Sequence, residues 1–329
     1  MFLPICIYLL MFLPCTTNSL SCFEKAKCGQ DNSKYERSVC SSTELNTTDK
    51  ILPFFYAKGS MIPLPPSFFF PIQQGVTEAM IEPKFNASIH LQLELPQSLA
   101  RLDDFTLQPL QTQQYVSHMN SSEGSKLAFT SPFRIFSNEG IKVLHDIIER
   151  EKHHANKNHR NLQLRGLYYK SAFIRDLVTN QEMLEFLSRL AGEPILPHFL
   201  LMNAAAVNIG KVNEETVIEG VVDPWHYDSV RFVGISLISD ITDMKGGELQ
   251  IVKRRKQEAL DLIHNTSNNM TENDVLTVSY ERAGYCIFVQ GSEMVHRVRK
   301  VESAKEPRLS LIMSFQPANP FQVRNRICI

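Results

Sequence analysis

The sequence lacks a charge bias, a zinc-type cysteine pattern and an apolar run long enough for a membrane helix. Its formal net charge is -1, which gives no support for nucleic acid or an anionic membrane as a partner. None of its 7 cysteines has the paired spacing of a zinc finger. The uncharged run at Met1–Cys15, MFLPICIYLLMFLPC, is shorter than the roughly 20 residues that span a bilayer. We therefore expect no nucleic-acid partner and no stable membrane span.

The same N-terminal run has the length of a signal-peptide apolar region. Small residues follow it at Thr17, Ser19 and Ser21, where a cleavage site could lie. We predict a signal peptide at residues 1–21 and targeting to the secretory pathway, either to the ER lumen or outside the cell. A basic segment ahead of the apolar run is missing, so a short uncleaved signal anchor remains the alternative.

Other features agree with that compartment. Cys22, Cys28 and Cys40 suggest a small disulfide-stapled segment in an oxidising environment, although their pairing cannot be read from the sequence. Five N-x-S/T sequons predict a glycoprotein, and they begin at Asn46, Asn86, Asn120, Asn265 and Asn269.

Composition and local pattern divide the rest of the chain. Residues 22–130 are expected to be an irregular region, because five prolines in LPFFYAKGSMIPLPPSFFFP forbid a long helix there. Its phenylalanines are expected to pack onto the main domain, with a membrane-touching loop as the alternative. The main domain is predicted at 131–320, followed by a tail at 321–329.

Within the main domain, helical patterns give way to strand patterns. Ser137 is a candidate cap for a first helix, and Asn180 and Gly192 bracket a second, so helices are predicted within 137–192. Many short β-like runs follow at 196–317, with Gly246-Gly247 read as a hairpin turn and one helical excursion at 255–273. This block predicts a mostly β fold of sandwich or barrel type with flanking helices.

Three polar residues in the β block form a candidate metal site. His226 and Asp228 alternate along a strand-like segment and so share a face, while His296 comes at the end of a later apolar strand. Two imidazoles and one carboxylate, with three positions left open, make the facial set of non-haem Fe(II) oxygenases. Thiolate is not needed in such a set, so Cys286 should not be a ligand.

A candidate anion-binding pair follows on the last strand. Arg308 and Ser310 also share a strand face in PRLSLIMSF. A guanidinium fork in an apolar barrel is suited to bidentate pairing with a carboxylate, and without a ligand a buried arginine would be costly.

The series H-x-D, a distant H and then R-x-S resembles the Fe(II)/2-oxoglutarate-dependent dioxygenase superfamily over roughly Leu196 to Pro317. The resemblance implies a double-stranded β-helix core with His226, Asp228 and His296 as iron ligands. It further implies that Arg308, assisted by Ser310, binds 2-oxoglutarate. Asn203 or Asn208 could assist in holding the cosubstrate, with Asn208 preferred, and Trp225 could line the substrate entrance or simply pack in the core.

What the resemblance implies about the reaction is a coupled oxidation. O2 and 2-oxoglutarate would be consumed, succinate and CO2 released, and a substrate C–H bond hydroxylated. Iron-dependent halogenases replace the carboxylate ligand by a small residue, whereas Asp228 is present here, so hydroxylation is expected. Collagen-type prolyl hydroxylases have lysine in place of Arg308, and nucleic-acid demethylases have a second arginine where Ser314 stands.

Other interpretations stay open at this point. Each of the four polar residues could have a separate structural role. The chain could be a non-catalytic double-stranded β-helix binding module, or a secreted glycoprotein whose N-terminal region makes the contacts. The substrate is a small molecule or a peptidyl side chain, which the sequence does not distinguish.

Overall fold

The computed structural model describes residues 82–110, 124–157, 161–210, 222–266 and 270–318. All of them lie in the unit Ser67–Ile329. The predicted signal peptide, the Cys-containing and Phe/Pro-rich stretches and the C-terminal tail at 321–329 lie outside the described residues. In the described part, no helix is long and apolar enough to cross a membrane.

The described chain is mostly β-sheet with flanking helices, as predicted. The helices are α1 (Ala87–His90), α2 (Asn138–Glu151), α3 (Leu167–Lys170), α4 (Ala172–Val178), α5 (Gln181–Ala191) and α6 (Lys256–Thr266). The strands before the barrel are β1 (Ser98–Arg101), β2 (Asp104–Pro109), β3 (Leu127–Thr130), β4 (Phe133–Arg134), β5 (Asn156–Lys157), β6 (Leu162–Leu164) and β7 (Ile195–Pro197). The remaining strands are β8 (Ala205–Gly210), β9 (Asp223–His226), β10 (Phe232–Leu237), β11 (Lys245–Gly246), β12 (Leu249–Val252), β13 (Val275–Val278), β14 (Tyr285–Val289), β15 (His296–Val298), β16 (Val301–Ser303) and β17 (Arg308–Pro317).

Eight of these strands form a double-stranded β-helix. The major sheet contains the order β14-β10-β17-β8, and the minor sheet has the order β13-β12-β15-β9. Along the chain, the strands from β8 to β10 and from β13 to β17 switch repeatedly between the two sheets, and neighbouring strands within each sheet are antiparallel. The predicted fold class is therefore confirmed by the strand order itself.

Strand alternation separates two apolar layers. On β10, Val233 and Ile235 pack inside the barrel with Leu249 and Ile251 of the minor sheet. On β17, alternate residues face the other way and pack against the helices; this outer cluster includes Leu309, Leu311, Met313, Phe315, Leu144, Ile148, Leu184 and Leu187. Helices α2, α4 and α5 thus cover the outside of the major sheet and leave its inner face for the site.

The two principal helices begin where the sequence predicts. The Ser137 hydroxyl accepts a hydrogen bond from the Gly140 N–H at 3.0 Å and caps α2. The Asn180 side chain accepts from the Met183 N–H at 3.0 Å and caps α5, which Gly192 closes with φ 73°. The helical excursion predicted at 255–273 contains α6.

The expectation of an irregular region up to residue 130 needs correction for the part of that region that the structure describes. Strands β1, β2 and β3 extend the major sheet, with β3 paired to β14. The barrel-bearing unit therefore includes residues well ahead of 131. These runs are only four to six residues long. They become strands because β3 pairs with the distant β14 and β1 and β2 add to β3 in turn, rather than through their local pattern.

The hairpin predicted at Gly246-Gly247 is also wrong. β11 pairs with β16, whereas β12 pairs with β13 and β15. Both glycines have positive φ, and a Cβ on Gly247 would lie 2.9 Å from Cδ of Arg308. A Cβ on Gly246 would lie 2.1 Å from the Lys300 carbonyl oxygen. The two glycines therefore allow close approaches to the Lys300 backbone and the Arg308 stem rather than a two-residue turn.

Candidate metal and cosubstrate site

His226 and His296 lie opposite each other in the minor sheet. They are register partners on β9 and β15, and their ring centroids are 4.3 Å apart. His296 is 4% exposed, so little water reaches its ring. One antiparallel strand pair thus supplies both imidazoles.

Asp228 completes the cluster just beyond the end of β9. Its backbone N–H donates to the Gly291 carbonyl at 3.0 Å. Its Oδ1 lies 3.9 Å from Nε2 of His226, and its Oδ2 lies 3.6 Å from Nε2 of His296. One ligand atom from each of the three residues falls within 4.8 Å of the others. The predicted trio is therefore brought together, with the side chain of Tyr227 exposed between its two neighbours.

The outer nitrogens of both imidazoles are held by backbone carbonyls. Nδ1 of His226 is 2.7 Å from the Pro224 oxygen, and Nδ1 of His296 is 3.2 Å from the Met294 oxygen. A carbonyl accepts only from a protonated ring nitrogen, so in the neutral imidazole this arrangement leaves each Nε2 lone pair directed at the cluster. Two neutral imidazoles and a carboxylate fit a divalent iron that keeps open positions.

Arg308 lies at the start of β17, in the major sheet. Its side chain is buried, and Nη1 donates to the Ser310 hydroxyl. Burial lowers the pKa of the guanidinium, while Tyr280 and Glu248 act in the opposite direction. Among the described residues, no carboxylate lies within ion-pair distance of Arg308. A buried cation without such a partner would be stabilised by an anionic ligand.

The other predicted residues have different surroundings. Asn208 is buried beside Ser310 in the register of β8 and β17, and Gln163 donates to its Oδ1 at 2.8 Å. Asn203 instead lies in a short 3-10 turn, Leu201–Asn203, ahead of β8.

Trp225 packs with the cluster that covers α6, and the guanidinium of Arg297 stacks 4.4 Å from its ring centroid. These contacts are those of a packing residue. Whether Trp225 also lines a substrate entrance stays a prediction.

Cys286 is buried in the outer apolar cluster, away from the ligand trio, and burial raises the pKa of its thiol to about 12. Of the sequons, Asn86 and Asn265 are exposed, and Asn46, Asn120 and Asn269 lie outside the described residues.

Sequence reasoning missed a buried carboxylate, Asp223, which lies 3.5 Å from Nδ1 of His226. Simple strand alternation would place residues three apart on opposite faces. Here the register shifts, because His226 pairs with His296 while Asp223 pairs with Val298. This irregularity brings Asp223 beside the imidazole, and the DPWHYD motif alone does not reveal it.

The chain matches the family described as HalD, Halogenase D, over residues 136–324, which is more than half of its length. The chain therefore belongs to this family. No curated protein is significantly similar to it.

Solved structures with a similar fold include the non-heme alpha ketoglutarate dependent epimerase SnoN from nogalamycin biosynthesis. It has 16% identity and a TM-score of 0.43, with 63% of this chain and 87% of that chain covered. HygX from Streptomyces hygroscopicus with nickel and 2-oxoglutarate bound has 14% identity and a TM-score of 0.42, with 63% and 87% covered. A Pseudomonas putida prolyl-4-hydroxylase has 10% identity and a TM-score of 0.40, with 62% and 98% covered. Likenesses this distant say nothing about the substrate.

The resemblance to the Fe(II)/2-oxoglutarate-dependent dioxygenase superfamily, which was based on four residues, is confirmed. The strand order agrees with it, and His226, Asp228 and His296 lie close together. The chain belongs to the halogenase D family, yet it has a carboxylate, Asp228, at the position where a small residue was expected for a halogenase.

Proposed function

We propose that this protein is an Fe(II)- and 2-oxoglutarate-dependent oxygenase that hydroxylates a C–H bond of a small-molecule or peptidyl substrate. The observation that carries the proposal is the approach of His226, Asp228 and His296 to within 4.8 Å, with both Nδ1 atoms held by carbonyls. A bound Fe(II) would supply the O2 chemistry, with succinate and CO2 as the coproducts of 2-oxoglutarate.

The residues of the chain have distinct tasks in this proposal. His226 and His296 would hold the metal through Nε2, and Asp228 through one carboxylate oxygen, a ligand set that keeps coordination positions open for cosubstrate and O2. Arg308 binds the distal carboxylate of 2-oxoglutarate through its planar fork, and the Ser310 hydroxyl orients that fork. Ile235 and Leu249, buried inside the barrel, exclude water from this space.

Halogenation is the second candidate, because the chain belongs to the halogenase D family. Asp228 argues against it, since its carboxylate takes the position that a halide needs. Gly291 supports that placement: its backbone oxygen accepts the Asp228 N–H, and its missing side chain leaves room for the carboxylate. Hydroxylation is therefore preferred.

The test begins with an anaerobic titration of the purified protein with Fe(II) and then 2-oxoglutarate, followed by visible absorption. A metal-to-ligand charge-transfer band is expected for the wild type, and none for His226→Ala. Arg308→Ala should need far more 2-oxoglutarate to develop the band. His145→Ala is the matched control, because His145 is partly exposed on α2 and pairs with Glu306. Absence of a band in folded wild-type protein would refute the oxygenase and leave a barrel-shaped binding module or an interaction glycoprotein.

A second arm separates the two reactions. Candidate substrates are screened by succinate release in buffers with chloride, with bromide or without halide. Mass spectrometry of the product should show added oxygen in all three buffers. A chlorinated or brominated product would overturn the preference for hydroxylation.

We further propose that the protein acts in the secretory pathway, from the apolar N-terminal run and the five sequons. The exposure of Asn86 and Asn265 is compatible with glycans at these two positions. Fractionation of expressing cells, with protease protection of the microsomes, tests the location. A protein found only in the cytosol would contradict it.

A further inference from the structure

A buried polar cluster lies directly behind the metal ligand His226. It consists of Asp223 on β9, Asn161 just before β6, Asn208 on β8 and the half-buried Gln163 on β6. Asp223 and Asn161 are 1% and 2% exposed. Burying this many polar groups is unfavourable unless they hydrogen-bond to one another. A buried network bonded in this way holds its side chains in one arrangement.

Asp223 is the centre of the cluster. Its Oδ2 accepts from the Asn161 amide at 2.8 Å and faces the Asn208 amide at 3.4 Å. Its Oδ1 lies 3.5 Å from Nδ1 of His226. Two amides on one oxygen fix the carboxylate, and the fixed carboxylate places its other oxygen beside the imidazole.

We propose that Asp223 is a positioning residue for the iron ligand His226. The Pro224 carbonyl accepts a hydrogen bond from Nδ1–H of His226, and the carboxylate of Asp223 lies beside that N–H group. A negative charge there favours the tautomer with Nε2 free and makes Nε2 a stronger donor to a cation. The inference rests on the proposed iron site and assigns to it a residue outside the ligand trio.

The cluster also reassigns Asn208. Both ends of its amide contact protein groups, Gln163 through Oδ1 and Asp223 through Nδ2. Asn208 therefore supports Asp223 rather than 2-oxoglutarate. Because Asn208 is the register partner of Ser310, the cluster connects the strand that carries Arg308 with the strand that carries His226.

The test compares Co(II) and Fe(II) affinities under anaerobic conditions, without 2-oxoglutarate, together with the visible Co(II) spectrum and the melting temperature of the metal-free protein. Asp223→Asn keeps the size and one acceptor oxygen but removes the charge. We expect metal affinity to fall about 10-fold or more, with an altered Co(II) spectrum. Asn161→Ala, which frees one side of the carboxylate, should give a smaller fall.

Glu151→Gln is the matched control, because Glu151 is a buried carboxylate paired with Arg150 and Lys170 on the helical side. It should leave metal affinity and spectrum unchanged even where the melting temperature shifts. A folded Asp223→Asn protein with wild-type affinity and spectrum would overturn the proposal. If Asp223→Asn does not fold, wild-type affinity in Asn161→Ala would overturn it instead. Wild-type protein that binds neither metal would refute the iron site itself, a result distinct from both.

Discussion

His226 and His296 are register partners on adjacent antiparallel strands, with their ring centroids 4.3 Å apart and their planes inclined by 58°. Their separation is therefore set by the spacing of two hydrogen-bonded strands. The carboxylate of Asp228, by contrast, follows the end of β9 and depends on the contact with Gly291. The candidate site therefore combines two imidazoles held by strand spacing with one carboxylate placed by a loop contact.

Metal binding should be visible in the fluorescence of the single tryptophan. Trp225 precedes His226, so Co(II) at the site is expected to quench its emission in a saturable way. His296→Ala removes one of three ligands and should weaken Co(II) binding about 100-fold. Fluorescence titration of wild type, His296→Ala and the control His145→Ala measures this. Equal quenching in all three proteins would place the metal elsewhere.

Gly291→Ala should damage the site and the fold together. The added Cβ would lie 2.8 Å from Oδ2 of Asp228 and 3.0 Å from Cγ2 of Val233. We expect a loss of about 1–3 kcal/mol of unfolding free energy, with weaker metal binding because the carboxylate must move. Gly234→Ala is the matched control, since its nearest contact would be an ordinary 3.4 Å to Sγ of Cys286. Denaturant unfolding and Co(II) titration of both variants check the expectation, which a wild-type Gly291→Ala protein would contradict.

Arg308→Lys should weaken the binding of the cosubstrate without changing the binding of the metal. Lysine keeps the positive charge but cannot form the planar, two-point contact with a carboxylate. We expect 2-oxoglutarate to bind at least about 10-fold more weakly, while the affinity for Co(II) stays at the wild-type value. Arg299→Lys, on a half-exposed arginine paired with Glu248, is the control. Unchanged 2-oxoglutarate affinity in Arg308→Lys would exclude the assigned role.

The buried thiol of Cys286 predicts a pH dependence of stability. Burial raises its pKa from 9.0 to about 12, so the folded protein holds the proton more tightly than the unfolded chain. The resulting stabilisation is complete below pH 9 and is lost as pH rises from 9 towards 12, with a slope of up to about 1.4 kcal/mol per unit. Urea unfolding across this range should show a steeper decline for wild type than for Cys286→Ala. Parallel curves for the two proteins would contradict this.

Glycosylation should occur at the two exposed sequons. In a eukaryotic secretory host, Asn86→Gln and Asn265→Gln are each expected to abolish one endoglycosidase-sensitive step in mass. Asn156→Gln is the control, because Asn156 is exposed but lies outside any sequon. A wild-type chain whose mass the glycosidase does not change would refute the glycoprotein prediction.

Much of the fold and the core of the site could be predicted from the sequence, because those features leave local signals. Helix caps at Ser137 and Asn180 are local signals. The H-x-D spacing of His226 and Asp228 is also local, although Asp228 lies just beyond the end of β9. Arg308 and Ser310 were likewise found by their period of two along a strand, and the structure places them together.

The remaining features depend on long-range pairing. Strand β3 pairs with β14, and β1 and β2 add to the sheet beyond it. The register shift opposite His296 brings Asp223 next to His226. Gly246-Gly247 looks like a turn in the sequence, but Gly246 makes room for the Lys300 backbone and Gly247 for the Arg308 stem, both more than fifty residues away in the chain. No local pattern contains these facts.

The trio of ligands comes from the minor sheet and its edge, whereas Arg308 comes from the major sheet. A cosubstrate that reaches both must bridge the barrel from one wall to the other. The layer of side chains between the two sheets, including Ile235 and Leu249, then limits the length of oxo acid that fits. Trimming or enlarging that layer should change the preference among oxaloacetate, 2-oxoglutarate and 2-oxoadipate without touching any residue that binds them.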